Sequence, residues 1–123
     1  MKEMPRISDS EWKVMQVLWE KSPVTANEII DTLKKTTDWR PTTIKTLVSR
    51  LVKKEAVGFK KNNRTYNYYP LVTEDVCVKA ESKSFLKRVY GGGLKMMIAN
   101  FLEIEDLSQG DIEELRRMLD EKK

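Results

Sequence analysis

Basic residues are concentrated between positions 40 and 64, where their charge suits the binding of phosphate. This stretch of 25 residues holds eight lysines and arginines against one acidic residue, Glu55. A local excess of positive charge attracts polyanions such as nucleic acid. A solvated basic surface without a partner is the alternative, because such runs are common on protein surfaces. The eight residues are Arg40, Lys45, Arg50, Lys53, Lys54, Lys60, Lys61 and Arg64.

Side chains that can read base edges share one face of a helix predicted from Pro41 to Lys54. Proline is favoured in a first helical turn, and the opposite face is apolar through Ile44, Leu47, Val48 and Leu51. Threonine methyls suit thymine, and arginine pairs bidentately with guanine. We predict DNA contacts from Arg40, Thr42, Thr43, Lys45, Thr46, Ser49 and Arg50, with Lys53 and Lys54 as phosphate anchors. The pattern leaves open whether Lys45 and Arg50 contact bases or phosphates.

A β-hairpin is predicted directly after this helix. Two short strands, 57–61 and 65–70, flank Asn62-Asn63, a pair that tolerates the positive φ of a tight turn. Lys60, Lys61 and Arg64 then lie near the tip, where they would reach phosphates or a minor groove. On the same strand face, Tyr66 and Tyr68 are expected to pack against the preceding helix.

Two further helices must position the basic helix and the hairpin. Ser8 with Glu11, and Thr25 with Glu28, form capping-box patterns that predict helices over 8–20 and 25–35. Three helices followed by a hairpin is the order of a winged helix-turn-helix, whose recognition helix enters the major groove. We therefore predict a mainly α protein with a winged-helix DNA-binding domain over residues 1–72.

Residues 73–123 differ in charge and pattern from the first part. The formal net charge of +4 divides into +6 over residues 1–72 and −2 over residues 73–123. Three helices are predicted here, and 51 residues are too few to bury all their apolar stripes in one chain. A two-fold dimer would complete the core; folding back onto the first domain is the alternative. The predicted interface is Val76, Phe85, Leu86, Val89, Leu94, Met97, Ile98, Phe101, Ile112, Leu115 and Leu119.

The composition argues against an enzyme. The chain has no histidine, the commonest general base and metal ligand, and Cys77 is its one cysteine. A single thiol forms neither an internal disulfide nor a multi-thiolate metal site, so we expect no cofactor and no metal. Paired carboxylates such as Glu113-Glu114 suggest only solvated charge. No apolar run reaches the length of a membrane span, so we expect a cytoplasmic protein without membrane insertion.

Six strings spread along the chain resemble the penicillinase repressor family, the BlaI/MecI family, which includes the methicillin-resistance repressor. The resemblance runs from about Ile7 to Leu119, and the strings are specific in combination. They are ISDSEWKVMQVLW, TANEII, DWRPTTIKTLVSRLVKK, YNYYPLV, FLKRVYGGGLKMMIANFLE and LSQGDIEELRRML.

The resemblance implies a homodimeric repressor with an N-terminal winged helix and a three-helix dimerisation domain. Such repressors bind palindromic operators of β-lactamase or penicillin-binding-protein genes, which are double-stranded DNA. The resemblance also implies that the repressor is released from DNA by proteolytic cleavage, after a membrane-bound sensor-transducer detects a β-lactam. The corresponding bond here is Asn100-Phe101.

Two departures bear on what the resemblance implies. Thr43 and Lys45 stand where many relatives have lysine and arginine, so base preference at one or two positions can differ. The cysteine cluster of copper-responsive relatives is absent from the C-terminal DEKK. A repressor of an unrelated operon and a winged-helix protein-interaction adaptor are the alternative functions.

Overall fold

The computed structural model describes residues 5–122, and its six helices and three short strands confirm the predicted mainly helical, winged-helix class. Residues 1–4 and 123 of the two predicted domains lie outside the described residues. The elements are α1 (Asp9–Glu20), β1 (Val24–Thr25), α2 (Ala26–Leu33), α3 (Pro41–Lys53), β2 (Val57–Asn62), β3 (Thr65–Pro70), α4 (Glu74–Tyr90), α5 (Leu94–Ile104) and α6 (Gln109–Glu121).

The helix starts follow local side-chain chemistry. At α1 the Ser8 hydroxyl accepts from the Glu11 backbone N–H at 3.2 Å, and the Glu11 carboxylate accepts from the Ser8 N–H at 2.9 Å. Equivalent capping boxes begin α2 at Thr25 and α6 at Ser108. α3 has no side-chain cap and begins instead with Pro41 at its first position, where a missing N–H costs nothing.

The sheet contains one strand that the sequence did not predict. β1 pairs antiparallel with β3, Val24 opposite Tyr68, and β3 pairs antiparallel with β2, so the strand order is β1-β3-β2. The hairpin turn also lies one residue later than predicted. Asn62 still pairs with Thr65, which leaves Asn63, at φ +60°, and Arg64 as the two-residue loop.

One compact unit spans Met1–Ala80 and contains the buried core. Trp12, Trp19 and Trp39 pack against this core as half-buried anchors, and Trp19 Nε1 donates to the Val72 carbonyl at 2.9 Å. The unit ends after the junction expected at 72–73, because the first turns of α4 bring Cys77 into the core. Burial raises the pKa of the Cys77 thiol. The core is Ile7, Val14, Met15, Leu18, Val24, Ile29, Ile30, Leu33, Ile44, Leu47, Val48, Leu51, Ala56, Val57 and Cys77.

The second compact unit spans Glu81–Lys123 and holds the end of α4 with α5 and α6. Gly91 and Gly92, at φ +58° and +89°, make the turn between α4 and α5 in a conformation that side chains disfavour. Phe85 contacts the rings of Tyr90 and Phe101, with centroids 6.1 and 6.3 Å apart. Within residues 81–122, no residue of α5 or α6 is buried. No helix within residues 5–122 has both the length and the hydropathy to cross a bilayer.

Candidate nucleic-acid interface

The core fixes how α3 is presented to solvent. Ile44, Leu47, Val48 and Leu51 are all buried, as the pattern predicted, so the helix cannot rotate without exposing them. The polar side chains therefore lie on the outer face of the unit. Each of the twelve residues predicted to bind DNA is exposed: Arg40, Thr42, Thr43, Lys45, Thr46, Ser49, Arg50, Lys53, Lys54, Lys60, Lys61 and Arg64.

Electrostatically, this helix is basic along its outer face. Its first turn carries no acidic residue, and its last turn carries Arg50 and Lys53. Within the face, the Thr46 hydroxyl donates to the Thr42 carbonyl at 2.9 Å. Since its proton is used inside the helix, Thr46 has its methyl group and an acceptor oxygen left for an outside partner. The face thus combines cations for phosphate with small side chains that suit base edges.

Lys54 differs from the other eleven because its ammonium is already bound. It forms a salt bridge with Glu11 of α1 and donates to the Arg6 carbonyl at 2.7 Å. The same Glu11 oxygen accepts from the Ser8 N–H, so one buried carboxylate joins the start of α1 to the end of α3. The sequence did not reveal this pairing, since the two residues are 43 positions apart. The structure thus gives Lys54 a structural role.

The pKa of Glu11 reflects this arrangement. Burial raises it, but the hydrogen bonds from Lys54 and from Ser8, with the Lys54 charge, outweigh burial and leave the pKa below its usual 4.5. Glu11 is only 1% exposed, and it is the hydrogen bonds and the charge of its partners, against the effect of burial, that hold its carboxylate ionised at neutral pH.

The wing, formed by β2, β3 and their turn, has two chemically different faces. Cross-strand partners share a face, and alternate residues of a strand point the same way. Phe59 pairs with Tyr68 and Lys61 with Tyr66, whereas Lys60 pairs with Asn67. Lys60 and Lys61 therefore lie on opposite faces, as adjacent residues of one strand do.

One wing face is aromatic and borders α3. Phe59 contacts Tyr66 edge to face at 5.2 Å between centroids and Tyr68 at 6.2 Å. Burial, with a smaller contribution from Tyr66, raises the pKa of Tyr68 above its usual 10.0. As expected from the sequence, both tyrosines lie beside the helix. Together they line a groove with residues of α3 and β2: Val48, Ser49, Val52, Phe59, Tyr66 and Tyr68.

The other wing face is polar around one tightly packed ring. A Cβ on Gly58 would lie 2.9 Å from atoms of the Tyr69 ring, so any larger residue there would require this ring to move. A second groove on the wing is lined by Pro23, Lys60, Lys61, Asn62, Asn67 and Tyr69.

Known proteins similar to this chain include a repressor and a resistance regulator. The family model described as "Penicillinase repressor" matches residues 7–121. The chain is 46% identical over 116 residues to the methicillin resistance regulatory protein MecI of Staphylococcus aureus, covering 94% of both chains. It is 44% identical over 123 residues to the penicillinase repressor of Bacillus licheniformis, covering all of this chain and 96% of that one.

A solved structure agrees with these relatives. The monomeric form of Bacillus licheniformis BlaI, in complex with the blaP half-operator, superposes with a TM-score of 0.54 at 44% identity. The match covers 61% of this chain and 92% of that chain. These comparisons confirm the prediction that the protein is a winged-helix transcriptional repressor and not an enzyme. The chain belongs to the penicillinase repressor family.

Proposed function

We propose that this protein is a homodimeric repressor that binds a palindromic operator and controls β-lactamase or penicillin-binding-protein genes. The observation that carries the proposal is the outward polar face of α3 beside a basic wing, on a fold that a relative uses in complex with a half-operator. Thr42, Thr43, Lys45, Thr46 and Arg50 contact the major groove. Because its target is chromosomal or plasmid DNA, such a repressor acts in the cytoplasm.

The wing and the helix flanks contact the sugar-phosphate backbone. Arg40, Ser49, Lys53 and the wing cations Lys60, Lys61 and Arg64 are exposed and suited to phosphate. Backbone contacts fix register without reading sequence. Lys54 stands apart from this set, because its ammonium is bound by Glu11 and the Arg6 carbonyl.

Dimerisation through the second unit is supported by apolar side chains left in solvent. Leu94, Phe101 and Leu119 are 51%, 44% and 64% exposed in the single chain. Covering such stripes with the same stripes of a second copy gives a self-complementary two-fold interface. The dimer then reads two half-sites about one helical turn, or a multiple of it, apart on one DNA face. Linked half-site binding raises affinity well above that of a single module.

Release by cleavage at Asn100-Phe101 is supported by the position of this bond in α5. A cut there separates most of α5 from α6 and so divides the exposed apolar stripes between two fragments. The bond lies inside a helix, and Asn100 Nδ2 donates to the Tyr90 hydroxyl at 3.3 Å. Local opening must therefore precede proteolysis. The protease belongs to a pathway that responds to a β-lactam sensor-transducer.

A mobility-shift titration tests the repressor proposal. The probe is a duplex with two inverted copies of the Bacillus licheniformis blaP half-operator, and the competitor is the same duplex with scrambled half-sites. We expect the dyad to bind at least about a hundredfold more tightly. Equal affinity for both duplexes would refute specific repression.

Two variants separate base contacts from phosphate contacts. Arg50→Ala is expected to reduce the preference for the dyad over the scrambled duplex, if Arg50 pairs with guanine. Lys60→Ala is expected to weaken both duplexes alike, because a phosphate contact carries no sequence information. Equal losses on both duplexes for Arg50→Ala would make Arg50 a phosphate contact.

A further inference from the structure

The two wing lysines occupy different chemical surroundings, and only one of them has an aromatic partner. Lys61 Nζ lies 5.7 Å from the centroid of the Tyr66 ring, directly across the strand pair. A cation above a tyrosine ring is attracted by the negative face of the ring. Lys60 pairs with Asn67 on the opposite face of the hairpin and has no such ring in its cross-strand position.

The Tyr66 ring is itself held in place. Phe59 meets it edge to face at 5.2 Å, and Phe59 also lies opposite Tyr68, which packs against the core. Phe59 and Tyr66 are nevertheless 47% and 43% exposed. The two rings are in mutual contact but exposed to solvent, so they form a surface platform and not part of the buried core.

The platform faces the groove that separates the wing from α3. Ser49, on the exposed face of α3, lines the groove opposite Phe59, Tyr66 and Tyr68. The groove therefore has the Ser49 hydroxyl on one wall and the Tyr66 ring on the other, while Lys61, which lies over that ring, also lines the second wing groove. Hydroxyls and ammonium groups are the usual protein partners of DNA phosphate oxygens.

The geometry points to Tyr66 as a positioning residue for DNA binding: its ring holds the Lys61 ammonium for a backbone phosphate beside the wing. Tyr66 acts through Lys61, which is restrained before DNA arrives and so loses less side-chain entropy on binding. The two wing lysines are then unequal, because Lys61 is pre-organised and Lys60 is not. This inference rests on the proposed DNA-binding function and adds a residue that charge alone did not suggest.

A double-mutant cycle on the full chain tests the coupling between the two residues. The probe is a random-sequence duplex titrated between about 50 and 200 mM salt, because each phosphate contact contributes about 0.9 to the slope of log affinity against log salt. Lys61→Ala should lower this slope by about that amount. Tyr66→Leu should weaken binding about threefold in the wild-type background and should have no effect once Lys61 is alanine.

Matched variants separate this role from a general effect on the fold. Tyr66→Phe keeps the ring and should retain wild-type affinity. Tyr69→Leu makes the same change three positions along the same strand, on the other face, and should leave the salt slope unchanged. The Lys60→Ala effect should add to that of Tyr66→Leu. Independent, additive losses for Tyr66→Leu and Lys61→Ala would overturn the inference, as would a Tyr69→Leu effect equal to that of Tyr66→Leu.

A measurement without DNA keeps the inference testable if a variant binds poorly. The ring current of Tyr66 should move the Lys61 ε-methylene proton resonances upfield in the free protein, and Tyr66→Leu should return them to the ordinary lysine position. Ordinary Lys61 resonances in the wild-type chain would overturn the inference. Failure of the wild-type chain to bind the duplex at all would overturn the proposed function as well, whereas normal binding without coupling would overturn only the role of Tyr66.

Discussion

Met15, Leu18 and Leu51 are completely buried in the first unit, whereas Leu94, Phe101 and Leu119 of the second unit keep about half of their surface in solvent. Both units are helical, and both begin helices with capping boxes at Ser8 and Ser108. The difference is therefore in packing and not in local propensity. The first unit thus carries its own core, whereas the second unit leaves its apolar stripes exposed in the single chain, as the proposed dimer requires.

This division agrees with the division of labour in the proposed repressor. The DNA-facing helix needs a rigid support, and α3 has one in the core that buries Ile44, Leu47, Val48 and Leu51. In the proposed repressor, the association of two DNA-binding modules must be reversible. A dimer interface formed only between the second units would be lost after one proteolytic cleavage. All three tryptophans lie in the first unit, so their fluorescence reports on that unit alone.

The largest expected effect comes from a charge placed in the apolar stripe of α5. Ile98→Glu should raise the dimer dissociation constant by about a thousandfold or more, because each copy would bury an unpaired carboxylate. Sedimentation equilibrium measures this change, and the tryptophan fluorescence should remain native. Met96→Glu is the matched control on the opposite side of the same helix and should leave the dimer intact. A dimer that survives Ile98→Glu would contradict the assignment of this stripe.

The same substitution in the two regions should have different consequences. Leu51→Ala removes a fully buried side chain and should lower the free energy of unfolding of the first unit by about 3 kcal/mol, independently of protein concentration. Leu119→Ala, in the second unit, should lower the free energy of unfolding of the monomer by less than about 1 kcal/mol. Its main effect should be to weaken dimerisation. Denaturant titrations at two protein concentrations measure both. If the loss in stability depended on protein concentration for Leu51→Ala and not for Leu119→Ala, the assigned roles of the two regions would be contradicted.

A smaller effect is expected at the ion pair that joins α1 to α3. Glu11→Ala removes half of a capping box and the partner of Lys54, and should cost about 2 kcal/mol, less than a fully buried pair because Lys54 is about one-third exposed. Tryptophan fluorescence during denaturation measures the loss. Glu28→Ala, in the exposed capping box of α2, is the matched control and should cost about half as much.

The Glu11 contribution should also depend on pH. The pKa of Glu11 is lower in the folded chain than its usual 4.5, so its stabilising effect is complete above that value and is lost as pH falls through the lower, folded-state pKa. Acid titrations of the wild-type chain should therefore lose stability below about pH 4.5 more steeply than those of Glu11→Gln. Identical slopes for the two chains would show that folding does not lower the pKa of Glu11.

Local patterns predicted the helices and the polar face of α3, because capping boxes, proline and apolar spacing act over a few residues. They did not predict β1, since two residues are too short to show alternation and Val24 pairs with Tyr68 far along the chain. They also did not predict the partner of Lys54, which is Glu11 on another helix. The wing faces depend on register, and the turn at Asn63-Arg64 and not at Asn62-Asn63 decides which residues are opposed.

The comparison of one half-site with two tests the central claim most directly. The full chain is titrated against a duplex with a single blaP half-operator and against the inverted pair, at concentrations that span the monomer–dimer equilibrium. We expect the pair to bind two chains in one cooperative step, and Ile98→Glu to abolish this advantage while single half-site binding remains. Equal affinity per half-site on both duplexes would contradict a repressor whose second unit exists to join two complete DNA-binding modules.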